Sequence, residues 1–471
     1  MHCERSDAAR VACTGATRPA FTAAPYRHEA GQAPRPHIRT FANPVVVLSS
    51  TLPTLPEPVA VKKMLLTALA LCVASPSLFA SDSGDAGSAK AREIHRRSIV
   101  LDSHLDTPMF FAQPGWNILE RHTWEDDFSQ VDYPRMLEGG LDGGFWVIYT
   151  AQGERTPQGN LKARDAGLLR LVAIREMVAA HADKFEIALS ADDAARIKKA
   201  GRRIVYLSIE NASPLAADPS LLGTFHQLGV RMLGLVHTLN NDFADSSTDP
   251  NGPEWNGLSD KGRALVAEAN RLGILIDQSH ATDAAFDQII ELSKAPIVLS
   301  HSGPAAVHAH ARNIDDARIR KLAAKGGVIQ INSLSAYLIQ TPDIPERRAA
   351  MSALYRQFSG DVTLTPAQRK DLARQRREVD ARHPVPKATF EDYMKHVLHA
   401  LEVAGPGHVG IGADWDGGGG VTGLEDVSNL QKITERLLRE GYTEAQIEGI
   451  WGGNLLRALR AAEQVAARTR A

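Results

Sequence analysis

The stretch Ile274–Ser302, ILIDQSHATDAAFDQIIELSKAPIVLSHS, constrains this chain more than any other. Two short apolar runs, Ile274–Ile276 and Ile297–Leu299, are each followed by a polar step that stops on a histidine, His280 and His301. Between them Ala285, Phe286, Ile289, Ile290 and Leu292 recur at helical spacing, so the segment reads strand, helix, strand. A crossover of this length makes the two strands parallel. Both histidines then stand at the carboxyl-terminal edge of one sheet, where α/β folds bind ligands. Either histidine alone would read as an ordinary strand-end residue bonded to a backbone carbonyl. Two at matching positions point to shared metal ligation.

Strand-like runs recur at Ile99–Leu101, Gly144–Tyr149, Ile204–Ile209, Met232–Val236, Ile274–Ile276, Ile297–Leu299, Val328–Ile331 and Val409–Ile411. Helical patterns separate them, among them Ala166–His181, Leu221–Leu228, Ser259–Leu272 and Ala317–Ala324. This alternation predicts an α/β fold, a (β/α)8 TIM-like barrel, as a single domain over 81–471. A doubly wound open sheet is the competing architecture, but no Gly-rich nucleotide fingerprint follows an early strand. The glycine run Gly417–Gly420 trails the last strand and reads as a flexible loop beside the site. Between strands seven and eight, Thr341–Thr389 breaks the rhythm with a charged, helical insertion. It reads as a solvated excursion, with a lid or subunit contact as the sharper alternative.

Chemistry at these strand ends must do without thiols. The three cysteines, Cys3, Cys13 and Cys72, all precede the predicted barrel, so any metal there is held by His, Asp and Glu. A formal net charge of −2 leaves no basic surplus for nucleic acid. Residues 1–60 are rich in Ala, Pro, Arg and Thr, lack periodicity and read as disordered. Lys62-Lys63, the apolar run Met64–Ala74 and Ser77–Ala80 then follow the pattern of a secretory signal peptide at 61–80, cleaved after Ala80. That apolar run is too short to span a bilayer, which takes about twenty apolar residues. Met64 or Val61 is accordingly the expected start, with 1–60 an over-translated leader. The mature chain, from Ser81 and without a membrane span, is expected in the periplasm or secreted.

The predicted strand ends carry the candidate site. The first runs into Asp102-Ser103-His104-Leu105-Asp106. Residues two apart in an extended chain point the same way, so His104 and Asp106 can reach one ion. The third strand leads to Glu210, the fourth to His237, the fifth and sixth to His280 and His301, and the eighth to Asp414 and Asp416. Buried carboxylates in such places are costly unless paired or metal-bound. Two divalent ions about 3.5–4 Å apart need roughly three protein ligands each and a shared bridge. A carboxylate can bridge and a neutral imidazole cannot. That singles out Glu210 as the bridge, with His104 and Asp106 on one ion and His280 and His301 on the other. His237 and Asp414 are left for charge stabilisation and proton handling. His308 and His310, further on, are expected on a helix in structural roles.

Taken in order and together, DSHLDTP, SIEN with His237 downstream, the His280/His301 pair, SHSGPAAVHAHARNIDD, HVGIGADWDG and GGNLLRAL carry a family resemblance. From about Asp102 to Leu456 the chain resembles the membrane (renal) dipeptidase family, a branch of the metal-dependent amidohydrolase barrels. The resemblance implies two zinc ions on His104, Asp106, Glu210, His280 and His301. It further implies a substrate contact at His237, a carboxylate-binding arginine at Arg312 and a proton shuttle at Asp414. The implied activity is hydrolysis of dipeptides by a metal-bridging hydroxide, and a homodimer is left open. Three departures stand out: the animal members' cysteines and anchor tail are missing, the insertion is longer, and INSLSAY after strand seven offers only Tyr337 as an aromatic contact. The alternatives are another amidohydrolase activity, on N-acyl amino acids or lactams, or a non-catalytic exported metal- or peptide-binding protein.

Overall fold

Ile204, Tyr206 and Ser208 alternate with Val205, Leu207 and Ile209 along one buried strand, and the two sets go to different places. Val205, Leu207 and Ile209 join the large core shared with the helices, including Leu171 and Ile174. Ile204 and Tyr206 belong instead to a cluster with Leu101, Phe145, Met232, Leu275, Val298 and Val328, drawn from six other strands. That two-sided burial is what a strand inside a barrel requires, since successive side chains point to opposite faces.

The computed structural model describes residues 83–358 and 363–470. Its centre is one parallel sheet of eight barrel strands: β1 (Leu101–Leu105), β2 (Gly143–Tyr149), β3 (Arg203–Glu210), β4 (Val230–Gly234), β5 (Leu275–Asp277), β6 (Ile297–Pro304), β7 (Val328–Ile331) and β8 (Val409–Ile411). They are neighbours in chain order, and every pair is parallel. The ring nearly closes where Leu105 of β1 bridges Trp415 just past β8, with the Asp106 N–H donating to the Trp415 carbonyl at 2.9 Å. The expected barrel is therefore present, with several boundaries shifted: β1 lies later than Ile99–Leu101, β4 stops at Gly234 and β6 runs on past Leu299 to Pro304. Phe185–Ile187 and Asn313–Ile314 are short extra strands on β3 and β6. The predicted disordered leader, the signal peptide and the cysteines lie outside the described residues.

Crossover helices follow where their sequences start them. Thr156, Ser259, Thr282, Asp315 and Thr389 each accept a hydrogen bond from a backbone N–H in the first turn of the helix they precede. Such caps satisfy donors that a helix leaves orphaned. The C-terminal helix Asn454–Arg470 puts Leu455, Leu456, Leu459 and Ala462 into the barrel-interior cluster, covering it away from the site.

The insertion is helical, as expected, with helices Pro345–Phe358 and Pro366–Arg382. It is not merely a solvated excursion. Leu354, Leu364, Leu372 and Val379 form their own core with Phe128, Ala350 and Met351, so the insertion is docked on the loop that follows β1. Among the described residues no helix is long and apolar enough to cross a membrane.

Candidate metal centre

Glu210 reaches the barrel mouth by simple alternation, sharing the inward parity of Ile204, Tyr206 and Ser208. The other donors need irregular backbone. On β1, Leu101 lies in the barrel interior, so strict alternation would turn Ser103 and Leu105 inward and His104 outward. Leu105 instead packs outward with the helices. The reason is a bulge: Asp102 pairs with Gly144 and Leu105 with Trp146, so β1 carries one extra residue there. His104 and Asp106 are thereby turned inward together. β6 repeats the device, with Leu299 paired to Ile329 and Ser302 to Ile331, around His301. His280, three residues past β5, and Asp414 and Asp416, past β8, sit in the left-handed region at φ 72°, 67° and 67°. Side chains rarely adopt that conformation without a surrounding structure that holds them there.

The result is a buried cluster around Glu210. Its Oε1 lies 3.1 Å from His280 Nε2, 3.4 Å from His301 Nε2 and 4.0 Å from His237 Nε2. Its Oε2 lies 3.5 Å from His104 Nε2, which is 3.4 Å from Asp106 Oδ2. Three sets of donor atoms fall close enough to hold an ion: His104, Glu210 and His301; Glu210, His237 and His280; and His104, Asp106 and Asp414. Glu210 and His104 are each in two of them, and of the two only the carboxylate has a second oxygen with which to bridge. His237 and Asp414, assigned by sequence to proton and charge handling, lie within the same small volume.

The donor set fits divalent cations. Oε1 of Glu210 is buried and has no hydrogen-bond partner among the described residues, although imidazole nitrogens surround it. Burial opposes charge on Glu210, yet His104 and His237 hold its carboxyl well below the usual range. Burial likewise opposes charge on His104, but Glu210 and Asp106 raise it well above an ordinary imidazole. The carboxylates thus call for positive charge at this point, which a metal ion would supply in place of a proton. Burial and the neighbouring cations keep His280 and His301 neutral, the form in which imidazole is a ligand.

Behind the cluster, one hydroxyl sets two rings. Ser300 Oγ donates to Asp277 Oδ2 at 2.5 Å, and its lone pairs face Nδ1 of His301 at 2.8 Å and Nδ1 of His104 at 3.4 Å. A hydroxyl has one hydrogen, so both rings must carry theirs on Nδ1. That leaves Nε2 of each ring, on the Glu210 side, as the nitrogen that could take a metal in place of a proton. Asp102, like Ser300 and Asp277, has a part that the strand-end pattern does not single out. It accepts from the backbone N–H groups of His104 and Ala413 and so ties β1 to β8.

The two acids after β8 separate cleanly. Asp416 has both oxygens engaged, accepting from Thr107 Oγ1 at 2.6 Å and from the Gln130 N–H at 2.5 Å, and burial pushes its carboxyl up to about 7. Asp414 takes one bond, from Asn332 Nδ2 at 3.2 Å to its Oδ2, and burial, with Asp106 and Glu210 nearby, raises it well above the usual carboxylate. The glycine run expected to be flexible is pinned. The N–H groups of Gly417 and Gly419 both donate to the Asp414 carbonyl, and that of Gly420 donates to Ser333 Oγ. A Cβ on Gly417 would lie 2.2 Å from both Asp106 Oδ2 and Asp414 Oδ1, so only glycine fits.

Arg312 is buried beside the cluster, donating from Nη2 to the His301 carbonyl at 3.1 Å, with the Tyr337 ring 5.4 Å from its guanidinium carbon. His308 and His310 lie in a bend and loop, not on the expected helix, because the chain turns back there to pair Asn313–Ile314 with β6. His310 Nδ1 accepts from the Arg312 N–H at 3.1 Å.

A cavity of about 530 Å³ opens onto the cluster. Asp106, Glu210, His237, His280, His301 and Asp414 lie at its floor, and Tyr337 forms part of the wall. The remaining wall is mostly apolar and aromatic, contributed by the loop after β1 and by the insertion. Sequence periodicity carries no signal for that meeting, since the two segments are far apart along the chain.

The profile of the membrane dipeptidase family (peptidase family M19) matches residues 88–471. The chain is 30% identical over 352 residues to the dipeptidase tcpJ of Claviceps purpurea, covering 73% of this chain and 72% of that one. It is 28% identical over 382 residues to the dipeptidase aclJ of Aspergillus oryzae, covering 79% and 80%. Among solved structures, that of the "probable dipeptidase PvdM" of Pseudomonas aeruginosa superposes with a TM-score of 0.69 at 30% identity, covering 81% of this chain and 100% of the other.

Proposed function

The chain belongs to the membrane dipeptidase family, whose members are metal-dependent peptide-bond hydrolases, and from that premise we propose that it is an exported dipeptidase with two zinc ions. The observation that supports this most directly is Glu210, one oxygen toward His280 and His301 and the other toward His104. Glu210 would bridge the ions, with His104 and Asp106 completing one site and His280 and His301 the other. Bound there, zinc would supply Lewis acidity and a water acidic enough to ionise to hydroxide near neutral pH.

The remaining steps belong to side chains. His237, edge-on to Tyr149 with its ring 4.2 Å from that of His280, would donate to the oxygen of the attacked carbonyl. Asp414 keeps Oδ1 for the proton released by the attacking water and returns that proton to the leaving amine. Arg312 holds the free carboxylate of the substrate, and its buried Nε, without a partner among the described residues, is a donor that needs an acceptor. Export rests on the signal-like segment at 61–80.

The test is chelation and titration. Metal-stripped enzyme should be inactive on a dipeptide panel and should regain full activity at two zinc per chain. Full recovery at one equivalent would remove the second ion, and hydrolysis of N-acyl amino acids in preference to every dipeptide would redirect the activity. Intact mass of the exported protein should place the mature N-terminus at Ser81.

A further inference from the structure

The metal cluster and its polar neighbours occupy only one end of the cavity. The other end is enclosed by two segments that meet only in the folded chain. Trp124 and Phe128 come from the loop after β1, and Met351, Leu354 and Leu372 come from the insertion helices. The insertion is anchored there: the Arg376 guanidinium carbon lies 4.7 Å from the Trp124 ring and 4.9 Å from that of Phe128. Arg347 is neutralised by Asp380 at 2.7 Å and also donates to the His383 carbonyl. Arg170 also lines the cavity, its Nη1 donating to the Pro108 carbonyl, and the rest of the wall at this end is mainly hydrocarbon and aromatic surface. Pockets that enclose a ligand well beyond a few atoms run to ~300–1,000 Å³, and this one, at about 530 Å³, is within that range.

Strand order says which part of a substrate reaches this chamber. In a ring of eight strands, the loop after β1 stands across the mouth from the loop after β5, which carries His280. Arg312 lies beyond β6, on the His280 side. A dipeptide whose carboxylate is held by Arg312 has its C-terminal residue on that side and its scissile bond over the cluster. Its N-terminal residue then extends across the mouth toward Phe128 and Leu372.

We infer that this chamber is a specificity pocket for a large apolar or aromatic side chain on the N-terminal residue of the substrate, with the insertion as its roof. The inference rests on the dipeptidase activity proposed above and adds the substrate class. Burying such a side chain against a preformed apolar wall excludes water that a small residue would leave in place.

The test uses the zinc-loaded enzyme and four dipeptides, Phe-Ala, Leu-Ala, Ala-Phe and Ala-Ala. Each methylene in an apolar pocket changes kcat/KM by roughly 10-fold or more, so Phe-Ala and Leu-Ala should exceed Ala-Ala by at least that factor. Ala-Phe should not share the advantage. The double variant Phe128→Ala/Leu372→Ala should bring the Phe-Ala to Ala-Ala ratio down toward one. Because truncation could loosen the roof, Leu372→Trp provides a second measurement: by filling the chamber it should also lower that ratio. A ratio unchanged in both variants, or an advantage that follows the C-terminal residue, overturns the pocket. Hydrolysis of none of the four overturns the dipeptidase activity itself, and the pocket with it.

Discussion

His280 and His301 bring their Nε2 atoms to within 2.8 Å of each other, although 21 residues and a helix separate them. At that distance the N–H of one neutral imidazole can donate to the lone pair of the other. Ser300 holds the His301 proton on Nδ1, so the His301 Nε2 lone pair is free to face the cluster. Removing that control should loosen metal without unfolding the barrel. Ser300→Ala and Asp277→Asn should each weaken zinc binding by roughly 10–100-fold in a competition titration with a chromophoric chelator. Ser300→Thr, which keeps the hydroxyl, should recover most of the loss. Unchanged affinity in both Ser300→Ala and Asp277→Asn would show that the hydroxyl does not set the rings.

Glu210→Ala removes the shared bridge and should leave fewer than two zinc per chain by elemental analysis. His308→Ala, in a bend outside the cluster, should keep both. Full metal content in Glu210→Ala would rule out the bridge.

Asp414 and Arg312 should fail differently. Asp414→Asn should retain both metals and bind substrate, while kcat falls roughly 10²–10⁴-fold, as loss of a general acid–base does. Arg312→Ala should mainly raise KM, and amidating the substrate carboxylate should harm wild type far more than this variant. If wild type cleaves the amidated dipeptide as well as the free acid, Arg312 is not a clamp.

Away from the metals, His95 makes stability depend on pH. Its Nε2 is 2.9 Å from the Gly139 carbonyl, so that nitrogen donates, and its Nδ1 accepts from Thr434 at 2.8 Å. Trp451 in turn donates to the Thr434 hydroxyl at 2.7 Å. Burial lowers His95 from 6.5 to about 4. The folded ring therefore stays neutral where the unfolded one takes a proton. The stability this ring contributes is intact above pH 6.5 and declines as the pH falls toward 4, by about 3 kcal/mol at most. In urea titrations His95→Asn should be less stable than wild type at pH 7.5, with the gap narrowing by pH 5. A constant gap would mean that His95 does not titrate differently in the two states.

Much of the site is legible in the sequence. Glu210, His280 and His301 follow apolar runs whose length and order already imply parallel strands, and parallel connectivity forces their ends to one edge. Chemistry then narrows the roles, since a chain without thiols beyond position 72 must ligate through imidazole and carboxylate. The helix caps are local too, because Thr, Ser or Asp ahead of an amphipathic run satisfies N–H groups a few atoms away.

Tertiary structure decided the rest. Whether His104 faces in or out depends on one extra residue between Asp102 and Leu105, and a bulge has no periodic signature. Asp414 and Asp416 are two residues apart with the same φ of 67°, and the partners Asn332, Thr107 and Gln130, brought from other loops, give them different surroundings. The insertion reads as solvated charge because its apolar residues are sparse along the chain. Leu354 and Leu372 gain their meaning from Phe128, and that contact exists only once the barrel has brought the end of β1 beside the connection into β8. Periodicity reports which face of a segment is buried, whereas long-range packing decides what it is buried against.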